Sequence, residues 1–257
     1  MFPVVALDLD GTLLRSDGSV SERTLRVLDR YLLLGGRIVL ATARPPRTVP
    51  QLALSSRYSI PWICYNGAET YEAGGRVLTY HLSPDTAREI VRIVNASAPG
   101  SVVAAEIDDW HYCDRVTTNP WPHDVVDLIG FIDRPVAKVL FDCTCIEDPA
   151  PIARSLPTDC VCKFTTGRTL GEVMSAHATK AAGLAALLAR WSMSFADVIA
   201  FGDDTPDIEM IRACGMGVAM ANAVPEVRSA ADRLTLSNDE DGVAVVLEEM
   251  IGTWNRR

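Results

Sequence analysis

The feature that most constrains this chain is a short apolar run that ends in two acids one residue apart, Asp8-Leu9-Asp10-Gly11-Thr12-Leu13-Leu14. Residues 2–7 predict a buried strand. Ligands of open parallel sheets bind beyond the carboxyl ends of the strands, which is where these acids fall. In extended backbone, residues 8 and 10 share one face, so we expect both carboxylates to point into one pocket. Two close like charges need a cation or a proton, so the pattern predicts a hard divalent metal, with Mg²⁺ as the first candidate. A solvated acidic turn is the alternative.

Two more predicted strands, at residues 37–41 and 62–65, also end in polar residues, and a helix at residues 22–34 separates the first two strands. This alternation is typical of a parallel sheet with helices on its faces. Because the carboxyl ends of parallel strands meet at one edge, side chains that follow them are candidate ligand contacts. Those candidates are Thr42, Arg44 and Asn66.

The same pattern returns near the end of the chain. A helix is predicted to begin near Lys180, and a buried strand at residues 198–201 ends at Gly202 and a second acidic cluster that contains Asp203, Asp204 and Asp207. Helix capping is the ordinary role for such acids, and solvent exposure is the ordinary state of a lysine. Two acidic clusters at strand ends favour a shared metal. We expect Mg²⁺ to be held by Asp8, the backbone carbonyl of Asp10, and Asp203.

Between these halves lies a segment of different character. Its hairpins, short strands and helices predict a separate α+β unit, so we expect a core domain at residues 1–82 and 178–257 with an inserted cap domain at residues 83–177. The predicted fold class is α/β, with a doubly wound, mostly parallel, Rossmann-like core sheet. Strands of the inserted unit are predicted at residues 102–107, 110–115, 136–143 and 160–165.

The order of these motifs resembles the haloacid dehalogenase superfamily, and Asn66-Gly67-Ala68, the insertion, and the run from Val218 to Ala223 resemble its Cof-type (type IIB) sugar-phosphatase branch. The resemblance implies that Asp8 is a nucleophile forming an aspartyl-phosphate and that Asp10 is the general acid and then the base. It also implies that Thr42 and Lys180 bind the phosphoryl group, that Arg44, Asn66 and Gly67 contact substrate, that Asp203 binds metal, and that Asp204 and Asp207 support the metal site. Two positions depart from the family pattern: Ala43 replaces a common glycine, and Pro206 replaces an asparagine that contacts substrate.

The function these residues imply is a Mg²⁺-dependent phosphatase of small phosphorylated metabolites, with sugar phosphates first among them. A phosphosugar mutase is an alternative, but its bisphosphate intermediate calls for clustered cap arginines. The arginines of the insertion are scattered instead, at Arg115, Arg134, Arg154 and Arg168. A non-catalytic regulator that binds phosphometabolites is a second alternative, which the paired acids Asp8 and Asp10 argue against.

Charge and hydropathy argue against nucleic-acid-binding and membrane-spanning classes of protein. The net charge is −9 with no Lys/Arg run, which argues against non-specific nucleic-acid binding. No apolar stretch is long enough to span a membrane and no signal peptide is evident, so we expect a cytoplasmic protein that is a monomer or small homo-oligomer.

The chain contains seven cysteines, and this odd number is typical of a protein whose thiols are reduced. The pairs Cys143/Cys145 and Cys160/Cys162 could place four sulfurs together if they lay on adjacent strands. We favour buried thiols over zinc, because zinc ligands usually come from turns.

Overall fold

The computed structural model describes residues 2–52, 58–117, 122–165 and 169–254. The chain forms two compact units, one of Met1–Leu78 with Thr179–Arg257 and one of Thr79–Ala178. The domain boundaries predicted after residues 82 and 177 stay predictions, as does the role of the insertion as a cap.

In the described part of the first unit, eight strands form one sheet in the order β14-β13-β12-β1-β2-β3-β4-β5. All pairings from β14 to β3 are parallel, and β4 runs antiparallel to β3. The strands are β1 (Val4–Leu7), β2 (Arg37–Ala41), β3 (Trp62–Cys64), β4 (Glu69–Glu72), β5 (Gly75–Thr79), β12 (Val198–Gly202), β13 (Met216–Ala219) and β14 (Arg233–Leu234).

Strand β1 is the centre of this sheet. Val4 to Leu7 are buried on both faces, and they pair in register with Val198 to Phe201 of β12 and Arg37 to Leu40 of β2. A continuous apolar run is what a central parallel strand requires, because helices cover both faces. Consequently the residue that follows Leu7 emerges in the middle of the sheet edge.

Two helices of the first unit begin at a residue whose side chain caps the helix. Ser21 caps α1 by accepting from the amide of Thr24, and Thr179 caps α5 by accepting from the amide of Ala182. Each cap satisfies an N–H that the first helical turn leaves without a partner. These helices are α1 (Glu22–Leu33), α5 (Lys180–Arg190), α6 (Ile208–Ala213), α7 (Pro225–Ala230) and α8 (Gly242–Trp254).

The second unit contains a six-stranded sheet within its described residues, in the order β10-β11-β9-β6-β7-β8. Apolar residues on one side of this sheet, including Val103, Val139 and Phe141, form a core with Ile90 and Val94 of α2. The elements are α2 (Pro84–Ser97), β6 (Val103–Ile107), β7 (Trp110–Cys113), β8 (Asp124–Val125), α3 (Leu128–Phe131), β9 (Lys138–Asp142), α4 (Ala150–Ser155), β10 (Cys160–Phe164) and β11 (Leu170–Ser175).

The predicted α/β class with a mostly parallel core sheet is confirmed. Between β2 and β3, Pro46–Gln51 forms a 3₁₀ helix with Pro50 inside it. A proline within a helix removes a hydrogen-bond donor and clashes with the preceding turn, which explains the short element. Within the described ranges no helix combines the length and apolar character that crossing a bilayer requires.

The cysteine pairs do not lie on adjacent strands. Strand β9 ends at Asp142, so Cys143 and the exposed Cys145 fall in a turn rather than in a strand. Strand β10, with Cys160 and Cys162, is separated from β9 by β11. Among the described residues, no group of cysteines is close enough to hold a metal ion. The order of the described strands therefore does not bring the four sulfurs onto adjacent strands, and the preference for separate thiols stays a prediction.

Candidate active site

Asp8 directly follows β1 and is almost fully buried, at 6% exposure. Its Oδ1 accepts a hydrogen bond of 2.6 Å from the Nζ of Lys180, although 172 residues separate the two in the chain. The same ammonium donates to Oδ1 of Asp207, also at 2.6 Å. Lys180 is the first residue of α5, where the macrodipole disfavours a cation, so these two carboxylates supply the compensating charge.

The electrostatics of this cluster are dominated by excess negative charge. Burial raises the pKa of Asp8 well above its ordinary value, and Asp207 and Asp203 add to that rise while Lys180 opposes it. Burial likewise raises the pKa of Asp203 to about 6. Burial works against the ammonium of Lys180, but Asp207 and Asp8 outweigh it and raise the pKa of Lys180 above its ordinary value. One lysine thus faces three carboxylates, and the site favours an additional cation or a bound proton.

The second acidic cluster follows β12 and is organised by Asp207. Its Oδ2 accepts from the backbone amides of Asp203 at 3.0 Å and Asp204 at 3.1 Å, while its Oδ1 accepts from Lys180. Pro206 is the second residue of the 3₁₀ turn Thr205–Asp207, where its missing N–H costs no hydrogen bond. With both oxygens engaged by N–H donors, Asp207 fixes the loop that presents Asp203.

Thr12 and Gly11 connect the two acidic clusters. The hydroxyl of Thr12 donates to Oδ1 of Asp203 at 2.8 Å. Gly11 has φ +80°, and a Cβ at this position would lie 2.2 Å from Oδ2 of Asp203. Asn222 donates to the carbonyl of Gly11 at 2.7 Å and holds the turn from its other side. Only glycine allows this close approach of the two loops.

The chemistry of these donors fits a hard divalent cation. Asp8, Asp203 and Asp207 each offer a carboxylate oxygen, and the three oxygens lie within 4.8 Å of one another. Mg²⁺ prefers oxygen ligands and one or two carboxylates, and the buried excess of negative charge would be balanced by it. Because Asp207 already accepts from three N–H donors, Asp8 and Asp203 are the carboxylates best able to bind the ion.

The carboxylate of Asp10 lies apart from this group, which differs from the expectation that Asp8 and Asp10 point into one pocket. Strand β1 ends at Leu7, and the chain turns at Gly11, so strand alternation does not extend to residue 10. The side chain of Asp10 is instead 57% exposed and accepts two hydrogen bonds from Arg44, at 2.8 Å from Nε and 2.5 Å from Nη2.

The ends of β2 and β3 bring the other predicted residues to the same sheet edge. Thr42 is fully buried, and its carbonyl accepts from the amide of Asn66 at 3.0 Å. Asn66 is buried with φ 56°, and Gly67 follows with φ +108°. A Cβ on Gly67 would lie 2.1 Å from the carbonyl of Thr179, so this loop packs directly against the start of α5. Gly67 therefore helps to position Lys180.

Thr12 and Asn222 were not singled out as site residues by the sequence reasoning, although both lie in motifs that were used. Thr12 follows the two acids immediately, and Asn222 follows β13, so their positions at strand ends were the available signal. Asp204 has a local role: its carboxylate accepts from the amide of Thr205 at 2.7 Å.

Comparison with known proteins identifies the family of the chain. Residues 5–247 match haloacid dehalogenase-like hydrolases. The chain belongs to this family. The hydrolase is 32% identical over 265 residues to 5-amino-6-(5-phospho-D-ribitylamino)uracil phosphatase YitU of Bacillus subtilis, covering 96% of each chain.

Two solved structures resemble this hydrolase over nearly their full length. One is a haloacid dehalogenase-like hydrolase from Bacteroides thetaiotaomicron, with 28% identity, a TM-score of 0.83, and coverage of 97% of this chain and 100% of that chain. The other is the subclass IIB sugar phosphatase BT4131, with a TM-score of 0.85 and coverage of 96% and 98%, whose 21% identity makes it a likeness of fold. The predicted resemblance to the superfamily is confirmed.

Proposed function

We propose that this hydrolase is a Mg²⁺-dependent phosphatase of small phosphorylated metabolites and acts through an aspartyl-phosphate on Asp8. The observation that carries the proposal is the buried triad of Asp8, Lys180 and Asp207, with Asp203 beside it and Asp10 outside it. A site that only bound phosphate would need cations alone. Here a carboxylate lies at the centre, which suits a nucleophile that attacks phosphorus.

In the first step, a carboxylate oxygen of Asp8 attacks the phosphorus atom and the bond from phosphorus to the ester oxygen breaks. Asp10 gives its proton to that leaving oxygen. In the second step, Asp10 takes a proton from water, the water oxygen attacks phosphorus, and the bond from phosphorus to Asp8 breaks. Inorganic phosphate leaves, and both aspartates regain their starting states.

The remaining residues offset charge and hold the reacting groups. Lys180 offsets charge on Asp8 and on the phosphoryl oxygens. Thr42, Asn66 and Gly67 are proposed substrate contacts, and Asp204 and Asp207 support the loop of Asp203. Mg²⁺, bound by Asp8, Asp203 and the carbonyl of Asp10, would neutralise the developing charge on the phosphoryl group.

The names of relatives suggest where to begin the search for a substrate. The relative with 32% identity is named for a compound that carries its phosphate on a ribityl chain. We therefore infer a metabolite whose phosphate is an alkyl ester on a sugar or sugar-alcohol chain, which agrees with the sugar phosphates expected from the motifs.

The test is phosphate release by the purified chain, with and without Mg²⁺, from a panel that includes 5-amino-6-(5-phospho-D-ribitylamino)uracil, sugar phosphates, nucleotides and p-nitrophenyl phosphate. We expect Mg²⁺-dependent turnover, and we expect Asp8→Asn to abolish it while leaving the thermal unfolding transition in place. An Asp8→Asn variant that turns over near the wild-type rate would overturn the covalent mechanism. Transfer of the phosphoryl group to a sugar in place of water would identify a mutase.

A further inference from the structure

The pairing of Arg44 with Asp10 is the most specific contact that the steps above leave without a role. The guanidinium meets both carboxylate oxygens of Asp10 in a forked arrangement, across 34 residues of sequence. Such bidentate pairs fix the plane as well as the position of a carboxylate. A side chain as exposed as that of Asp10, at 57%, would otherwise exchange between rotamers.

Two hydrogen bonds fix the backbone of Arg44. Its amide donates to the hydroxyl of Thr42 at 3.1 Å, and its carbonyl accepts from the amide of Tyr65 at 3.0 Å. These two bonds tie residue 44 to the ends of β2 and β3. The guanidinium is therefore presented to Asp10 from a fixed point of the sheet edge.

We infer that Arg44 is a positioning residue for proton transfer, which holds the carboxylate of Asp10 in the orientation that serves the leaving oxygen and the attacking water. This inference rests on the proposed function, because it assigns Arg44 a role in the acid and base steps of that reaction. For proton transfer, one of the two hydrogen bonds from the guanidinium breaks, so that one oxygen of Asp10 stays on Arg44 while the other gives or takes the proton. Arg44 then acts on the reaction through Asp10, whereas a substrate-binding arginine would act on the phosphate ester itself.

A residue that positions Asp10 and a residue that binds the substrate differ in how strongly their loss affects esters with good and poor leaving groups. Phenyl phosphate and p-nitrophenyl phosphate have almost the same shape, but phenolate is the poorer leaving group and depends more on protonation. The constant kcat/KM covers the steps up to cleavage of the ester bond, so it isolates the acid step. For Arg44→Ala we expect kcat/KM to fall of the order of tenfold with phenyl phosphate and less than about threefold with p-nitrophenyl phosphate.

A double-mutant cycle with Asp10→Asn decides whether Arg44 acts through Asp10. In the Asp10→Asn background, Arg44→Ala should cause no further loss of kcat/KM with either substrate. Arg44→Gln, which keeps polarity but lacks the charge and the fork, should behave like Arg44→Ala. The matched control is Arg23→Ala, since Arg23 forms a similar half-exposed bidentate pair with Glu248 in the same unit. This control should leave both constants unchanged.

Equal losses with both substrates, or a loss that persists in the Asp10→Asn background together with a raised KM, would overturn the inference and make Arg44 a substrate contact. In that outcome the wild type is active and the proposed function stands. If the wild type releases no phosphate from either ester in the presence of Mg²⁺, the proposed function fails and this inference fails with it. The two failures are therefore distinguished by the wild-type assay alone.

Discussion

The ammonium of Lys180 lies 2.6 Å from Asp8 and 2.6 Å from Asp207, so one cation connects the end of β1 to the loop after β12. All three side chains are at least nine-tenths buried. Because Lys180 follows Asp8 by 172 residues, only the fold brings these two side chains within ion-pair distance. The second partner, Asp207, was not expected, and it changes what a substitution of Lys180 should do.

Lys180→Met should abolish most phosphate release and also destabilise the protein. Removal of the ammonium leaves two buried carboxylates without a counter-charge, and breaking a buried pair in this way costs about 3–5 kcal/mol. Urea denaturation at pH 8 measures the free energy of unfolding, and phosphate release measures the activity.

The pH dependence of the Lys180→Met variant follows from the same reasoning. Burial already raises the pKa of Asp8 in the folded chain, and loss of the opposing charge of Lys180 should raise it further above the pKa of the unfolded chain. Such a group lowers stability as pH rises, and the deficit against the wild type should be smaller at pH 5 than at pH 8. Lys138→Met is the matched control, since it breaks the buried pair with Glu172 in the other unit. It should lose comparable stability with a much smaller loss of phosphate release. An equal deficit at both pH values would contradict the prediction.

The residues of this cluster could be predicted because they follow strands whose apolar runs are unmistakable. Val4 to Leu7 and Val198 to Phe201 can only be central strands, and parallel neighbours bring their carboxyl ends together. The pairing of Asp10 with Arg44 could not be predicted in this way, because it depends on where β1 ends and on the rotamers of an exposed and a partly buried side chain.

Strand β11 was missed for a different physical reason. It contains Gly171, a residue that weakens a strand, and the buried charge of Glu172. A Cβ at residue 171 would lie 2.3 Å from the ring of Phe141 on the neighbouring strand β9. The glycine is therefore explained by a tertiary contact that no local pattern reveals.

Mg²⁺ should stabilise the folded chain, and more strongly at pH 8 than at pH 5. Burial raises the pKa of Asp203 to about 6 when no metal balances its charge. Between about pH 4 and pH 6, Asp203 is therefore protonated in the folded chain but ionised in the unfolded chain. The metal-free protein thus loses stability as pH rises through this window. Mg²⁺ must displace that proton at pH 5 but not at pH 8.

Thermal unfolding with Mg²⁺ and with excess chelator, at both pH values, measures the effect of the metal. Asp203→Asn should reduce the shift in Tm, and Asp239→Asn, which changes an exposed aspartate bonded to Ser16, is the control and should not. A shift in Tm that is larger at pH 5, or full phosphatase activity in chelator, would contradict the role of the two acidic clusters.

The cysteines should behave as separate thiols and not as a zinc site. Burial raises the pKa of Cys162 and of Cys214 to about 12, so at pH 8 only of the order of one molecule in 10⁴ carries either thiolate. Cys145 is exposed. We expect a maleimide to label Cys145 first in the native protein, as read by peptide mass spectrometry, and all seven cysteines in denaturant. Rapid native labelling of Cys162, or about one zinc per chain lost on mutation of Cys143 and Cys160, would contradict this.

Gly11→Ala should weaken Mg²⁺ binding more than it weakens the fold. Gly11 has φ +80°, and so does Gly18 seven residues later, but their surroundings differ. A Cβ on Gly11 would lie 2.2 Å from Oδ2 of Asp203, whereas nothing lies within 4 Å of a Cβ on Gly18. Both alanine variants carry the cost of a left-handed backbone, about 1–2 kcal/mol, and Gly18→Ala therefore measures that cost alone.

The difference between the two variants isolates the displacement of Asp203. Because the carboxylate of Asp203 must move to admit the new methyl group, its hydrogen bond from Thr12 is also disturbed. Changes to groups that orient a metal ligand typically lower the affinity for the metal by about 10–100-fold. The Mg²⁺ concentration for half-maximal activity should therefore rise at least tenfold in Gly11→Ala. In Gly18→Ala it should stay near the wild-type value. Titration of Mg²⁺, followed by phosphate release and by the shift in Tm, gives two independent readings of that affinity. Equal Mg²⁺ requirements in the two variants would mean that Asp203 does not bind the ion.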